Sequence, residues 1–318
     1  MGKPSNIISK IGYHAVYSFW YALSLLPMWL LYVLSDIMFF ILAIVVKYRK
    51  KTIEKNLLTA FPDKTDMERK VIVYKFYHSF CDYIVETVKL MSMSEKQLKR
   101  RMRFEGIEEM NKILQGGQSV ALFLSHTFNW EWISTITLWV PEGVVCGEVY
   151  HPLENKVFDR LILDARQKNH AVGVPMQDTL RQIVAWKRDG IAHVMGYLYD
   201  QKPHWHNIHH WVNFLNHDTP VLTGAERICK ATDQAVVYGD MMRKKRGYYV
   251  CRLKVMTTKP KEQEDWTVTD WYYKQLEETV RRQPELWLWS HKRWKRTREE
   301  FDKRFKYVNG KVVRRDEA

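Results

Sequence analysis

The stretch Val120-Ala121-Leu122-Phe123-Leu124-Ser125-His126 begins as an apolar run and ends in a histidine, and Thr127-Phe128-Asn129-Trp130-Glu131 follows it. Five apolar residues between polar ones are typical of a buried strand. His126 is therefore expected at the carboxyl end of that strand, with Asn129 in position to cap a helix that starts near Glu131. A histidine held by a carboxylate is a general base that can take a proton from a hydroxyl group.

The pair His126 and Glu131 is predicted to be a catalytic dyad in which Glu131 fixes the tautomer of His126 and stabilises its charged form. The spacing alone is weak evidence, because 12 histidines and 36 acidic residues in 318 make chance matches expected. A structural histidine bonded to a nearby carboxylate is the alternative.

Short apolar runs alternate with helical stretches on both sides of this motif. Strands are predicted at Val120–Leu124, 143–150, 171–174, 191–198, 235–238 and 248–256. Helices are predicted at 107–114, 155–169, 179–187 and 223–231. This alternation predicts an α/β fold with a mixed sheet flanked by helices on both faces, and an active site beyond the carboxyl ends of the strands.

The regions before and after this core also carry patterns. Residues 52–99 have helical periodicity, broken at Ala60-Phe61-Pro62-Asp63, and Thr65 or Asp66 can cap the second helix. The last 30 residues are strongly charged, which predicts a solvated or interfacial helix rather than a nucleic-acid-binding arm.

The amino-terminal region is predicted to be a membrane anchor. Between Lys10 and Lys47 the only ionisable side chains, tyrosines aside, are His14 and Asp36, and residues 15–34 are almost wholly apolar or aromatic. About 20 such residues cross a bilayer as a helix. The apolar region is too long for a signal peptide and lacks a cleavage site. We therefore predict an anchor at 1–48 and a catalytic domain at 49–318.

Pro27 and Asp36 indicate one crossing followed by an interfacial helix, although a re-entrant segment is equally compatible with the pattern. Basic residues are few before the apolar region, at Lys3 and Lys10, and dense after it, at residues 47–55. The positive-inside rule then places the catalytic domain in the cytoplasm.

The formal charge of +14 favours an anionic partner such as nucleic acid, an acidic lipid surface or an acidic carrier protein. Nucleic acid is disfavoured because the chain has no helix-turn-helix, zinc-finger or aromatic RNA-binding signature. The four cysteines lie far apart, as in proteins of a reducing compartment.

Several sequence blocks resemble one protein family. Phe128-Asn129-Trp130-Glu131 after His126 is similar to the catalytic motif of the bacterial lipid A late acyltransferases (lauroyl and myristoyl acyltransferases), within the lysophospholipid acyltransferase superfamily. The other similar blocks, in chain order, are Tyr48-Arg49-Lys50-Lys51 with Asn56-Leu57 and Ala60-Phe61-Pro62, then Tyr150-His151-Pro152-Leu153-Glu154-Asn155 with Asp159-Arg160-Leu161-Ile162 and Arg166, then Asp200-Gln201, and finally Pro284-Glu285-Leu286-Trp287-Leu288-Trp289-Ser290-His291-Lys292-Arg293-Trp294-Lys295.

The resemblance implies acyl transfer from acyl carrier protein, or from acyl-CoA, to a hydroxyl of a lipid A precursor at the cytoplasmic face of the inner membrane. His126 would act as the base without a covalent acyl-enzyme, and no metal or redox cofactor would be required. His126 and Glu131 are the catalytic residues that it implies. The substrate-binding residues that it implies are Asn129, Trp130, Tyr150, His151, Asn155, Arg160, Arg166, Asp200 and Gln201.

Two departures leave the acceptor open. Tyr150-His151-Pro152 stands where the family usually has Tyr-Arg-Pro, and Lys202-Pro203-His204 follows Asp200-Gln201 in place of an acid, a glycine and an arginine. A lysophospholipid or aminolipid is the alternative acceptor, and an inactive membrane-anchored lipid-binding relative is the alternative of another class. The presence of both His126 and Glu131 favours an enzyme.

A histidine-rich segment contains His204, His206, His209, His210 and His217. Such imidazoles can bind zinc, but no carboxylate or cysteine completes an obvious set. A pocket-lining loop and a plain surface are the alternatives.

Overall fold

The computed structural model describes residues 5–152 and 155–316, so Lys3, Leu153 and Glu154 lie outside the described residues. The strands in this part of the chain are β1 (Met102–Glu105), β2 (Val120–Leu124), β3 (Val145–Tyr150), β4 (Val172–Pro175), β5 (His193–Leu198), β6 (His210–Phe214), β7 (His217–Val221), β8 (Ala235–Lys245), β9 (Tyr248–Thr257), β10 (Phe305–Val308) and β11 (Lys311–Arg314).

Within the described ranges, seven strands form a central sheet in the order β1-β9-β8-β2-β5-β3-β4. Strands β8 and β9 are antiparallel, and the other neighbouring pairs are parallel. Two antiparallel hairpins, β6-β7 and β10-β11, lie outside it. The predicted mixed sheet is confirmed.

Helices alternate with these strands. The α-helices are α1 (Ser5–Leu25), α2 (Met28–Phe39), α3 (Lys50–Ala60), α4 (Asp66–Leu90), α5 (Glu95–Arg101), α6 (Ile107–Gln115), α7 (Lys156–Gln167), α8 (Thr179–Arg188), α9 (Gly224–Thr232), α10 (Thr267–Arg282) and α11 (Arg298–Arg304). A π-helix at Phe40–Val45 continues α2, and a 3₁₀ helix at Trp130–Leu138 follows the His126 loop.

Strand β2 is buried on both faces of the sheet, which explains its unbroken apolar sequence. Ala121 and Phe123 pack on the side of α3, α4 and α10. Val120, Leu122 and Leu124 pack on the side of α5, α6 and the 3₁₀ helix. The prediction of helices on both faces is therefore confirmed.

Local signals predicted several boundaries correctly. Thr65 caps α4 in a capping box with Glu68, and α3 ends at Ala60 as the break before Pro62 predicted. The predicted carboxyl-terminal helix is wrong in extent, because only α11 is helical and a hairpin follows it. Phe301 and Phe305 are buried against Ile208 in a small satellite core, so this charged segment has an apolar side that folds back.

The apolar amino terminus is two helices rather than one over residues 15–34. Pro27 has no backbone N–H to continue α1 and instead stands at the start of α2. Met28–Val45 has a mean hydropathy of 2.3 and is long and apolar enough to cross a membrane. The inner side of α2 is fastened to the domain, since Ser35 donates to Asp82 at 2.7 Å. The exposed side carries Trp29, Val33 and Ile37, together with Asp36, which pairs with Arg246 at 2.6 Å.

The buried carboxyl group of Glu86, on α4, joins the amino-terminal helices to the loop after His126. Its Oε1 accepts a hydrogen bond from Tyr32 of α2 at 2.9 Å. Its Oε2 accepts from Asn129 at 3.1 Å and from Tyr249 of β9 at 2.8 Å. Asn129 in turn accepts the Glu131 N–H at 3.2 Å, so it caps the 3₁₀ helix as predicted.

Complete burial, reinforced by the charge of Asp82, raises the pKa of Glu86 to about 7, although the three hydrogen bonds oppose this shift. A carboxyl group with a raised pKa in the folded state contributes stability below its unfolded pKa and loses that contribution as the pH rises through its folded pKa. We therefore expect the Glu86→Gln variant to lose less stability than the wild type between about pH 5 and about pH 8, by on the order of 2 kcal/mol.

Chemical unfolding in a non-ionic detergent over this pH range measures the difference. Glu108→Gln on the exposed face of α6 is the matched control and should keep the wild-type pH dependence. Parallel curves for the wild type and Glu86→Gln would show that Glu86 does not titrate in this range.

Candidate active site

His126 lies at the carboxyl edge of the sheet, where β2 and β5 run parallel with Leu124 opposite Leu198. Two residues further along this register, His126 lies beside Asp200. The His126 backbone N–H donates to Asp200 Oδ2 at 2.9 Å, and the His126 Nδ1 is 2.5 Å from Asp200 Oδ1. Asp200 thus positions both the backbone and the ring of His126.

Asp200 is buried and nevertheless stays charged. Burial raises its pKa, but the charge of His126 and hydrogen bonds from His126 and Trp287 outweigh burial and lower it. Trp287 Nε1 donates to Asp200 Oδ2 at 2.7 Å. A charged Asp200 accepts the proton of His126 Nδ1, which leaves the lone pair of the ring on Nε2.

The His126 Nε2 faces the amide of Gln201, whose Nε2 is 3.1 Å away. Since the ring nitrogen carries the lone pair, the Gln201 amide donates this hydrogen bond. The edge of the ring packs against Trp130, with 5.0 Å between the ring centres. His126 therefore presents a basic nitrogen beside an amide donor.

The predicted contact between Glu131 and His126 is wrong. Arg166 of α7 donates from Nε to Glu131 Oε2 at 2.7 Å and from Nη2 to Oε1 at 2.8 Å. Trp130 Nε1 and the Tyr83 hydroxyl also donate to Glu131 Oε1, at 2.8 and 3.2 Å. Helix geometry explains the difference, because the cap at Asn129 directs the first-turn carboxylate into the interior, toward the cation on α7.

The Glu131–Arg166 pair forms one wall of a cavity below Trp130. Burial raises the pKa of Glu131, but the Arg166 charge and its hydrogen bonds outweigh burial and lower it. Glu148 of β3 lies 3.5 Å from Arg166. Burial raises the pKa of Glu148 to about 7 against the charge of Arg166, and the charge of Glu131 adds to the rise. Glu131 is thus kept charged, whereas Glu148 takes up a proton as the pH falls through about 7.

The cavity lies between the 3₁₀ helix and strands β2, β3 and β5. Apart from the Glu131, Arg166 and Glu148 side chains and Ser134, its lining is apolar or small, and it includes Leu122, Leu124, Ile133, Ile136, Cys146 and Leu198. Trp130 lines the cavity and also packs against the His126 ring, so this side chain connects the cavity with His126.

The remaining predicted residues are distributed around this centre. Tyr150 ends β3 at the same edge of the sheet. His151 is exposed, with its Nδ1 3.0 Å from the Pro152 carbonyl. Asn155 accepts the Val157 N–H at 3.0 Å at the start of α7. Exposed Arg160 lies 3.7 Å from Asp164 and stacks over Tyr13 of α1. The structure does not bring these four residues to His126.

Asn129 is fully buried and contacts Glu86, so it shapes the loop from the interior. Trp130, Asp200 and Gln201 do contact His126. Arg166 reaches the site only through Glu131.

Sequence reasoning missed the roles of Asp200, Trp287 and Glu148. Trp287 belongs to the carboxyl-terminal block, which runs alongside the His126 loop. The Phe128 N–H donates to the Leu286 carbonyl at 2.9 Å, and the Leu288 N–H donates to the His126 carbonyl at 3.1 Å. The signal in the sequence is the block itself, which contains Trp287 but does not indicate what this side chain contacts.

Two histidines of the histidine-rich segment, His210 and His217, line different surface grooves. His210 bonds Asp270 at 2.7 Å, and His217 stacks on Trp294 at 4.4 Å. In the described part of the chain, no group of three or more His, Cys, Asp or Glu side chains is arranged to hold a metal ion.

Comparison with known proteins gives one consistent family. The sequence model of the family described as bacterial lipid A biosynthesis acyltransferase matches residues 3–296. Lipid A biosynthesis acyltransferase 2 of Shigella flexneri is 26% identical over 120 residues, which are 38% of this chain and 37% of that protein. Lipid A biosynthesis acyltransferase of Haemophilus influenzae is 20% identical over 191 residues, which are 60% and 58%.

The chain therefore matches less than two thirds of the length of each of these relatives. The family model, in contrast, covers nearly the whole chain, including His126, the Glu131–Arg166 pair, Asp200 and the carboxyl-terminal block that contacts them. On that match, the chain belongs to the bacterial lipid A biosynthesis acyltransferase family.

Proposed function

We propose that this protein transfers a fatty acyl chain from a carrier-protein thioester to a hydroxyl group of a lipid A precursor. The observation that carries the proposal is a histidine whose Nδ1 bonds a buried charged aspartate and whose ring packs against Trp130, a residue that lines an apolar cavity. Membership of the lipid A acyltransferase family supports the choice of reaction and of acceptor.

In this reaction His126 Nε2 removes the proton of the acceptor hydroxyl as the oxygen attacks the thioester carbonyl. The C–O bond forms, the C–S bond breaks, and the leaving thiolate takes the proton back from the His126 ring. Asp200 holds the proton on Nδ1 and stabilises the positively charged ring between these two steps. A thioester is already activated, so His126 needs no covalent acyl intermediate.

Gln201 is the side chain that must exchange partners. Its amide donates a hydrogen bond to His126 Nε2. The acceptor hydroxyl has to replace this amide as the donor to Nε2. The released amide donor then lies close to the carbonyl under attack, where it can stabilise the negative oxygen of the tetrahedral intermediate.

Glu131 acts in this scheme as a positioning residue. It binds Trp130 Nε1, and Trp130 packs against the His126 ring. Its bidentate pair with Arg166 connects the 3₁₀ helix to α7. The catalytic contact predicted from the sequence is thereby replaced by a structural one.

The apolar cavity suits the acyl chain, because its lining offers few polar partners away from the Glu131–Arg166 wall. The exposed apolar face of α2 suits attachment to the membrane that contains the acceptor. An acidic carrier protein suits the charge of +14. Acyl-CoA is the alternative donor.

Substitutions at the base and at the two carboxylates test this assignment. His126→Ala should abolish turnover, and Asp200→Asn should lower kcat by roughly 10²–10⁴-fold, because the charge that stabilises the His126 ring is lost. Glu131→Gln should lower kcat per folded molecule much less, while lowering stability by about 3 kcal/mol, because Arg166 loses its main partner.

The measurement is release of free carrier thiol together with the mass of the lipid product, normalised to the folded fraction. Unchanged turnover in His126→Ala would eliminate the proposed base. Equal losses in Asp200→Asn and Glu131→Gln would instead favour Glu131 as the functional partner.

Adding a methyl group to the cavity wall tests its use by the acyl chain. A Cβ at Gly196 would meet Leu124 Cδ1 and the Gly147 carbonyl at 3.5 Å, so Gly196→Ala is accommodated without a clash. Since Gly196 lines the cavity, the added methyl narrows it. We expect kcat/KM for long-chain donors to fall about tenfold relative to short-chain donors.

Gly224→Ala on α9 is the control, since a Cβ there has no heavy atom within 4 Å and lies outside this cavity. A donor series of increasing chain length gives the ratio for both variants. The same chain-length profile in Gly196→Ala and the wild type would place the acyl chain elsewhere.

A further inference from the structure

A second concave surface lies between α3 and the segment that follows Trp289. Its volume is about 1050 Å³, open to solvent. Five cationic side chains line it, namely Lys51 and Lys55 from α3, Lys292 and Lys295 from the carboxyl-terminal block, and Arg296 just after that block. We call these five residues and the space between them the basic groove.

The charges of the basic groove are not neutralised by the protein. Among described residues, no Asp or Glu oxygen lies within 4.0 Å of the four lysine ammonium groups, whereas other surface lysines have such partners. The one acidic side chain of the lining, Asp218, is paired with Arg298. Arg296 donates from Nη1 to the Pro203 carbonyl at 2.6 Å, and its buried Nε has no partner within the described chain.

The two walls of the basic groove are held together by specific contacts. Asn56 of α3 donates to the Trp289 carbonyl at 2.8 Å and to the His291 carbonyl at 2.9 Å. Arg49, just before α3, donates to the Ser290 carbonyl at 3.0 Å. The cations therefore converge on a preformed space instead of being scattered on mobile segments.

The basic groove is also electrostatically connected to His126. Lys202 follows Gln201, which contacts His126 Nε2. Burial lowers the pKa of Lys202, and the positive charges of Arg296, Lys295, Arg293 and Arg49 lower it further. The positive electrostatic potential of the basic groove thus extends to Lys202, which is next to Gln201 of the active site.

We propose that the basic groove is a phosphate-binding site for one of the two substrates. Lysine ammonium groups and a guanidinium with a free donor are the groups that bind phosphate oxygens in proteins. A recessed space with converging charges fits a compact dianion better than the surface of an acidic protein. A phosphate group is present both on the lipid acceptor and on the prosthetic arm of a carrier protein. Only the choice between these two sources rests on the proposed function.

Direct binding tests the site without acyl transfer. Inorganic phosphate is titrated into the full chain in non-ionic detergent at constant ionic strength and followed by ³¹P NMR. We expect saturable binding in the wild type, weakened about tenfold or more in Lys55→Gln/Lys295→Gln, because each lysine contributes a charge-assisted hydrogen bond.

The matched control is Lys96→Gln/Lys99→Gln on the exposed side of α5. It also removes two positive charges, but these residues do not line the groove. It should bind phosphate as the wild type does. Equal weakening in both double variants, or no saturable binding in the wild type, would overturn the proposal.

Kinetics then identify the source of the phosphate. If the acceptor supplies it, the groove variant raises KM about tenfold for the phosphorylated acceptor but not for the acceptor treated with phosphatase. If the donor supplies it, KM rises for the carrier thioester but not for an acyl-N-acetylcysteamine thioester, which has no phosphate. An unchanged KM for all four substrates would overturn a role in substrate binding. Absence of turnover in the wild type would reject the proposed function and leave the phosphate titration to decide on the site.

Discussion

The parallel pairing of β2 with β5 is the constraint on which the site depends. It places residue 126 beside residue 200 at the carboxyl edge of the sheet, and the side chains and backbone then form two hydrogen bonds between them. A slip of one residue in this register would turn the side chains of one strand to the opposite face. Burial of β2 on both faces specifies the register, because Phe123 and Leu124 pack into different hydrophobic clusters on opposite faces of the sheet.

Three buried carboxyl groups, those of Asp200, Glu131 and Glu86, and the partly buried carboxyl group of Glu148 differ in pKa because they have different partners. Asp200 and Glu131 stay charged because His126 and Arg166, respectively, lie against them. Within the described residues Glu86 accepts hydrogen bonds from neutral donors only, and Glu148 shares Arg166 with Glu131, so burial outweighs the partners and raises the pKa of each to about 7. The same residue type therefore serves to orient a base, to pair with a cation and to connect helices.

Local sequence predicted the elements well and their partners poorly. The bounds of β2, the cap at Asn129 and a helix start at Thr65 or Asp66 depend on neighbours within a few residues, and all three are predicted from the sequence. Asp200 lies 74 residues after His126, so its contact depends on strand order, which periodicity does not encode. Glu131 is near His126 in sequence, yet the turn that places it in the first turn of the 3₁₀ helix also directs its carboxylate toward Arg166 and away from His126.

Three of the family blocks, at residues 48–62, 200–201 and 284–295, are distant in sequence but contact one another beside the His126 loop. Arg49 and Asn56 hold the backbone at Trp289, Ser290 and His291, and the neighbouring Trp287 reaches Asp200. Residues 284–296 therefore form one continuous segment. Near its start Trp287 orients Asp200, and near its end Lys292, Lys295 and Arg296 line the basic groove. A ligand that moves this segment at the basic groove acts on the same segment whose Trp287 and Leu288 bond Asp200 and the His126 backbone. The charge of the groove and the geometry of the base are consequently properties of one continuous segment, which accounts for the presence of both in a single sequence block.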